Sequence, residues 1–192
     1  MKFTRIILLM IMVLSAFFIP EYGIENEKVK DDEKLELKIA ALNSLLTMNE
    51  ESVLPILEKF LKSSENPKLR EKAVFILSQQ SSKKAFKLLV NIAKNDSSSR
   101  IKKKAIFWIG QMNNAMSYNS LSDIYDNSKD SSVKQNIIFS LSQLNNEKAF
   151  NKLVFIAKKD ENRYLRKKAI FWIGQSNNPK AGKVLEEIIN EK

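Results

Sequence analysis

The 192-residue chain has no cysteine and no histidine. These two absences exclude disulfide frameworks, Cys/His zinc sites, thiol nucleophiles, cysteine-ligated iron–sulfur clusters and every mechanism that uses an imidazole base. Glycine and proline number only four each, too few for the turns of a sandwich or barrel, so the composition points to helices. A Gly-rich phosphate loop, a Gly-x-Ser-x-Gly elbow and an inward carboxylate pair at fixed spacing are also missing. No catalytic constellation, cofactor or metal is implied, and the expectation is a protein that is not an enzyme. What the sequence does contain is 44% apolar and 28% charged residues, the balance of a folded chain long enough to bury a core.

The N-terminus reads as an export signal. Lys2 and Arg5 precede fourteen uncharged residues, Ile6 to Ile19 (IILLMIMVLSAFFI). This is the layout of a secretory signal peptide, whose apolar run is short for a bilayer core of ~30 Å. Ala16 suits the end of a signal, whereas Leu14 occupies a position that prefers a small residue. Residues 1–19 are therefore a cleaved signal or an N-terminal anchor, and they are the route to any membrane contact. No cysteine follows to carry a lipid anchor. Residues 20–33 read as an acidic linker, and residues 21–36 carry seven acids against three lysines. The chain's net charge of +10 thus conceals +12 on residues 37–192. A body this basic attracts nucleic acid, anionic headgroups or acidic protein surfaces, of which nucleic acid is the least available to an exported chain. The Lys/Asn/Ile-rich composition suggests a bacterial source with an AT-rich genome.

An internal repeat sets the architecture. The nonapeptide KKAIFWIGQ occurs at 103–111 and again at 167–175, and each copy runs on into an Asn pair, Asn113-Asn114 and Asn177-Asn178. Gln79, Gln111, Gln143 and Gln175 mark the underlying step of 32 residues. A period of this length is the mark of a solenoid, in which each unit buries its apolar face against its neighbours. Columns at this step define two amphipathic helices per unit. The first carries Leu69, Ile101, Val133 and Leu165, then Ala73, Ala105, Ile137 and Ala169, and then Leu77, Ile109, Leu141 and Ile173, a single i, i+4, i+8 stripe. The second carries Leu57, Leu89, Leu121 and Leu153. Leu37, Ala41 and Leu45 extend the first stripe toward the N-terminus, and about five helix pairs fit within 34–192. Asn66-Pro67, Asn178-Pro179, Ser98/Ser99 and Ser131 read as helix starts. Ser78, Gly110, Ser142 and Gly174 leave room for close helix approach.

This pattern, with Ile101–Gly110 and Leu165–Gly174 as its best examples, resembles HEAT-like repeats of the short type found in bilin-lyase-like proteins. The resemblance implies an all-α, right-handed α-α superhelix whose first helices line the concave face. It also implies a turn aspartate paired with a basic residue six positions on, here Asp96 with Lys102 and Asp160 with Arg166. The alternate units have Ser64 with Arg70 and Ser128 with Lys134, which weakens that pair. Such a fold specifies architecture and leaves activity open. A diiron hydroxylase and an iron–sulfur reductase with HEAT-like parts are excluded by the absent histidine and cysteine.

At about 100° per residue from Ala105, Phe107 and Lys103 both point away from the core, as do Phe171 and Lys167. Phe75, Phe107, Phe139 and Phe171 therefore form a column at the repeat step. An exposed apolar column marks a contact surface, unless tight curvature packs each ring on its neighbour. Lys103 and Lys167 stand one turn before a ring, while Glu71 and Gln135 hold that place in the other units. The resulting candidate site is a groove of four Phe with Lys103, Lys104, Lys167 and Lys168, suited to a protein segment with acidic side chains. Trp108 and Trp172 fall on the edge of the buried stripe and read as inter-repeat packing. The expected function is an exported, non-catalytic scaffold. A module for polyanions or anionic membranes, or a lyase-type accessory protein for a small hydrophobic group, are the alternatives.

Overall fold

Six of the helices are launched by an asparagine, aspartate or serine positioned to satisfy otherwise orphaned backbone N–H groups. The computed structural model describes residues 21–64, 66–112 and 114–191, with side chains from Val29 onward. Among the described residues there are ten α-helices, one short 3-10 turn (Leu45–Thr47) and no strand. The helices are α1 Glu21–Ser44, α2 Glu50–Ser63, α3 Pro67–Ser78, α4 Lys83–Asn95, α5 Ser99–Met112, α6 Ser117–Asn127, α7 Ser131–Ser142, α8 Glu147–Lys159, α9 Arg163–Gly174 and α10 Ala181–Asn190. Side-chain oxygens of Asn49, Asn66, Ser82, Asp130, Asn146 and Asn162 accept from the first turns of α2, α3, α4, α7, α8 and α9.

Two of the expected starts differ. Asp130, not Ser131, caps α7, because its carboxylate reaches the N–H groups of Ser132 and Val133. Asn178 and Pro179 form a turn ahead of α10, with Asn178 Oδ1 accepting from Lys180 N at 2.9 Å.

The chain divides into two compact units, Met1–Ala41 and Leu42–Lys192. In the first, the described backbone is helical from Glu21, so the acidic stretch read as a linker forms the start of α1. Lys34 and Asp31, at 3.6 Å, make an i, i+3 pair on it, and Leu37 is exposed. Residues 1–19, read as a signal or anchor, lie outside the described residues. No helix among the described residues is long and apolar enough to cross a membrane.

In the second unit α3, α5, α7 and α9 pack each on the next to form one layer, while α4, α6 and α8 form another. Each second helix also packs on the first helix of the following repeat, as α4 does on α5 and α8 on α9. The stripe columns supply the core: Ala73, Ala105, Ile137 and Ala169 are fully buried, as are Leu77, Ile109, Leu141 and Ile173. Burying each large aliphatic side chain contributes about 1.5–3 kcal/mol, so nearest-neighbour burial holds the stack together.

The small residues act unequally. A Cβ on Gly110 would meet Ser140 Cβ at 2.8 Å, so α7 approaches α5 closely at that point. Ser140 is buried there and donates to Ile106 O at 3.1 Å. Gly174 carries no such restriction, its nearest foreign atom being Leu185 Cδ1 at 3.8 Å.

Candidate partner-binding face

The helical period aligns the first-helix aromatics along one side of α3, α5, α7 and α9. Their rings touch in sequence. Phe75 lies 5.1 Å from Trp108, which stands edge-on to Phe107 at 5.0 Å. Phe107 stacks on Phe139 at 6.1 Å with the planes 3° apart. Phe139 meets Trp172 at 5.2 Å, and Trp172 meets Phe171 at 5.0 Å. Six rings thus form one ladder across four helices. Trp108 and Trp172 make two of its three inter-repeat links, each reaching a Phe of the preceding first helix, and the Phe107–Phe139 stack makes the third.

This arrangement combines both sequence readings of the Phe column. Phe75, Phe107 and Phe139 are half-buried by neighbouring rings, whereas Phe171 is 54% exposed. Ring–ring contact is worth about 0.5–1.5 kcal/mol beyond area burial, so the ladder stabilises the stack while its outer edge stays accessible.

The lysines fall differently from the expectation. Lys103 and Lys167 have neither a ring nor a carboxylate partner among the described residues; the lysine over a column ring is Lys72, 5.1 Å from the Phe75 centroid. Lys104 pairs with Glu71 at 3.4 Å, and Arg100 pairs with the same carboxylate. Lys168 lies 5.2 Å over the ring of Tyr164. On the second-helix layer three lysines pair with acids of adjacent repeats: Lys94 with Asp123 at 2.5 Å, Lys152 with Asp126 at 2.7 Å and Lys158 with Glu187 at 2.7 Å.

The turn aspartates also depart from the expected pairing. Asp96 and Asp160 cap the C-termini of α4 and α8, and their Oδ1 atoms accept from Ser98 N and Asn162 N, each at 2.8 Å. Their Oδ2 atoms engage the preceding repeat. Arg70 pairs with Asp96, while Lys134 lies 3.9 Å from Asp160. Lys102 has no ion-pair partner among the described residues, and Arg166 donates to the backbone carbonyls of Asp160 (2.7 Å) and Glu161 (3.2 Å). The ion pair thus bridges repeats instead of closing one. The basic residues of the units that lack a turn aspartate, Arg70 and Lys134, are the ones that use it. Single-repeat spacing could not expose a partner 26 residues away.

Tyr125 was not among the sequence candidates. Its hydroxyl donates to Asp160 Oδ2 at 2.6 Å, and Lys134 lies 4.8 Å over its ring. Burial pushes this hydroxyl far above the ordinary tyrosine value, and the Asp160 hydrogen bond and charge push it further. Among the described residues no acidic cluster is placed to hold a metal ion.

Two helix layers stacked repeat on repeat define an α-solenoid, an architecture that serves as a protein-interaction scaffold. A HEAT-repeat model matches four overlapping stretches, residues 27–109, 56–142, 86–171 and 118–192, and the chain belongs to the HEAT-repeat family. No curated protein gives a significant match to the sequence.

Proposed function

We propose that this protein is an exported, non-catalytic scaffold that binds a protein partner through the first-helix face of its solenoid. The observation that carries the reading is the aromatic ladder, which ends in the exposed ring of Phe171 and is flanked by lysines without carboxylate partners. Aromatic rings beside accessible cations are the composition of a protein contact surface. Export rests on Lys2, Arg5 and the apolar run 6–19.

The test is affinity capture from cell-envelope extract with the full chain as bait, comparing wild type with Phe171→Asp after circular dichroism shows equal helix content. Loss of a partner that wild type retains at moderate salt is the expected result. Partners retained by the variant would reduce the ladder to internal packing. Partners lost on raising salt, whatever residue 171 is, would identify an electrostatic module for polyanions or anionic surfaces instead. Phe107→Asp is a poorer probe, because Phe107 stacks on Phe139 and an unpaired carboxylate there costs stability.

A further inference from the structure

The two copies of KKAIFWIGQ present the same side chains in different company. At the first copy Glu71 on α3 neutralises Arg100 and Lys104 of α5. One step of 64 residues on, Gln135 replaces Glu71, Tyr164 replaces Arg100 and Lys168 replaces Lys104. The Tyr164 hydroxyl donates to Gln135 Oε1 at 3.3 Å, and the Lys168 ammonium rests over the tyrosine ring. The second copy therefore keeps the lysine pair of the first, as Lys167 and Lys168, and lacks both the carboxylate and the guanidinium. Neither Lys167 nor Lys168 has an acidic partner among the described residues.

A cleft of about 250 Å³ opens at this place between α7 and α9, lined by Gln135, Asn136, Phe139, Lys168, Phe171 and Trp172. It is the most exposed aromatic part of the first-helix face, since Tyr164 is 49% and Phe171 54% exposed. Three of its lining side chains are aromatic, Lys168 lines it with Lys167 next to it on α9, and the amides of Gln135 and Asn136 complete the lining.

We propose that this cleft anchors a partner segment bearing a carboxylate beside a bulky apolar side chain. The carboxylate lies beside the Gln135 amide, which holds the position of Glu71 in the second copy, and pairs with Lys168 and Lys167. The apolar side chain packs on Phe139, Trp172 and Phe171. This deepens the protein-binding reading of the same face and rests on it. Charge complementarity identifies the occupant, because Lys167 and Lys168 stand beside exposed rings with no acid among the described residues, whereas Lys104, at the position of Lys168 in the first copy, pairs with Glu71.

The chain's two tryptophans provide matched reporters, Trp108 in the first copy and Trp172 in the second. The experiment titrates the 15N-labelled full chain with the capped peptide Ser-Glu-Glu-Phe-Leu-Ser, and separately with Ser-Lys-Lys-Phe-Leu-Ser, following both indole N–H signals. The Glu peptide should move Trp172 and leave Trp108 in place, and the Lys peptide should bind several-fold more weakly. Gln135→Glu, which supplies an internal carboxylate, should weaken the Glu peptide roughly three- to tenfold. Glu71→Gln should bring Trp108 into motion.

Equal movement of both indoles in wild type, equal affinity for the two peptides, or indifference to Gln135→Glu would each overturn the anchor. If no peptide moves Trp172 while Phe171→Asp still abolishes partner capture, the occupant's chemistry is wrong and the binding face stands. If capture is also unaffected, both proposals fail.

Discussion

At the scale of the residue, the same position in successive repeats carries different physical demands. Gly110 and Gly174 are identical in sequence context, yet only Gly110 faces a neighbouring helix at a distance that a methyl group cannot share. Gly110→Ala should therefore destabilise the fold by about 1–3 kcal/mol through overpacking, whereas Gly174→Ala should cost nothing measurable in a urea melt. A melt in which the two variants coincide would contradict that contact.

Tyr125 provides a pH prediction. Its neutral form is favoured in the folded state because burial disfavours the phenolate and Asp160 accepts its proton in a hydrogen bond. A raised folded value contributes stability that is fully present below the unfolded tyrosine value of 10.0 and is lost as pH rises toward the folded one. Of the four tyrosines, Tyr125 should be the last to ionise, and its phenolate absorbance should appear together with loss of helix. A Tyr125→Phe chain should lack that late step. Its appearance at the ordinary tyrosine value in the wild type would mean that the hydroxyl is solvated.

At the scale of the element, helices and the turns between them are held by groups that reach across repeats. The Asp96 carboxylate organises the turn into α5 with one oxygen and binds Arg70 of α3 with the other. Both side chains are largely buried, at 8% and 15% exposure, and among the described residues Arg70 Nε has no hydrogen-bond partner. Removing the acid leaves a guanidinium with little solvent to compensate it. Asp96→Ala should cost about 3 kcal/mol by thermal or chemical unfolding. Ser64→Ala, at the equivalent turn position one repeat earlier, should fall within about 1 kcal/mol of wild type, because no cross-repeat ion pair depends on it.

At the scale of the whole molecule, the first-helix face of the Leu42–Lys192 unit brings aromatic rings and cations together. Lys94, Lys152 and Lys158 on the second helices pair with acids of neighbouring repeats, while Lys103, Lys167 and Lys168 near the ladder have no carboxylate partner among the described residues. A partner engaging that face meets both a ring ladder and unneutralised cations. Its association rate should fall with ionic strength more steeply than its dissociation rate rises, since charge steers encounter while ring contacts hold the complex. Surface-binding kinetics at two salt concentrations would check this. A dissociation rate that accounts for the whole salt effect would place the binding energy in the ion pairs instead.

The sequence by itself determined the helical fold, the 32-residue unit and the buried stripe from Leu69 onward, whereas Leu37 and Ala41, read as its N-terminal extension, are exposed. Fold, unit and stripe depend on composition and on the i, i+4, i+8 spacing, and both are local. Leu77, Ile109, Leu141 and Ile173 could be assigned to the core because burial of a helix stripe follows from its period whatever it packs against. The sequence also showed the Phe column and, in Glu71 and Gln135, a charge difference between the copies.

Only the tertiary structure decided what those residues meet. Arg70 finds its acid 26 positions away, Phe107 stacks on a ring 32 positions on, and Tyr125 shares Asp160 with Lys134. Such partners depend on the offset and rotation between successive repeats, which one helix's periodicity does not encode. The same offset half-buries three rings of a column that helical geometry alone directs outward, and leaves the fourth exposed.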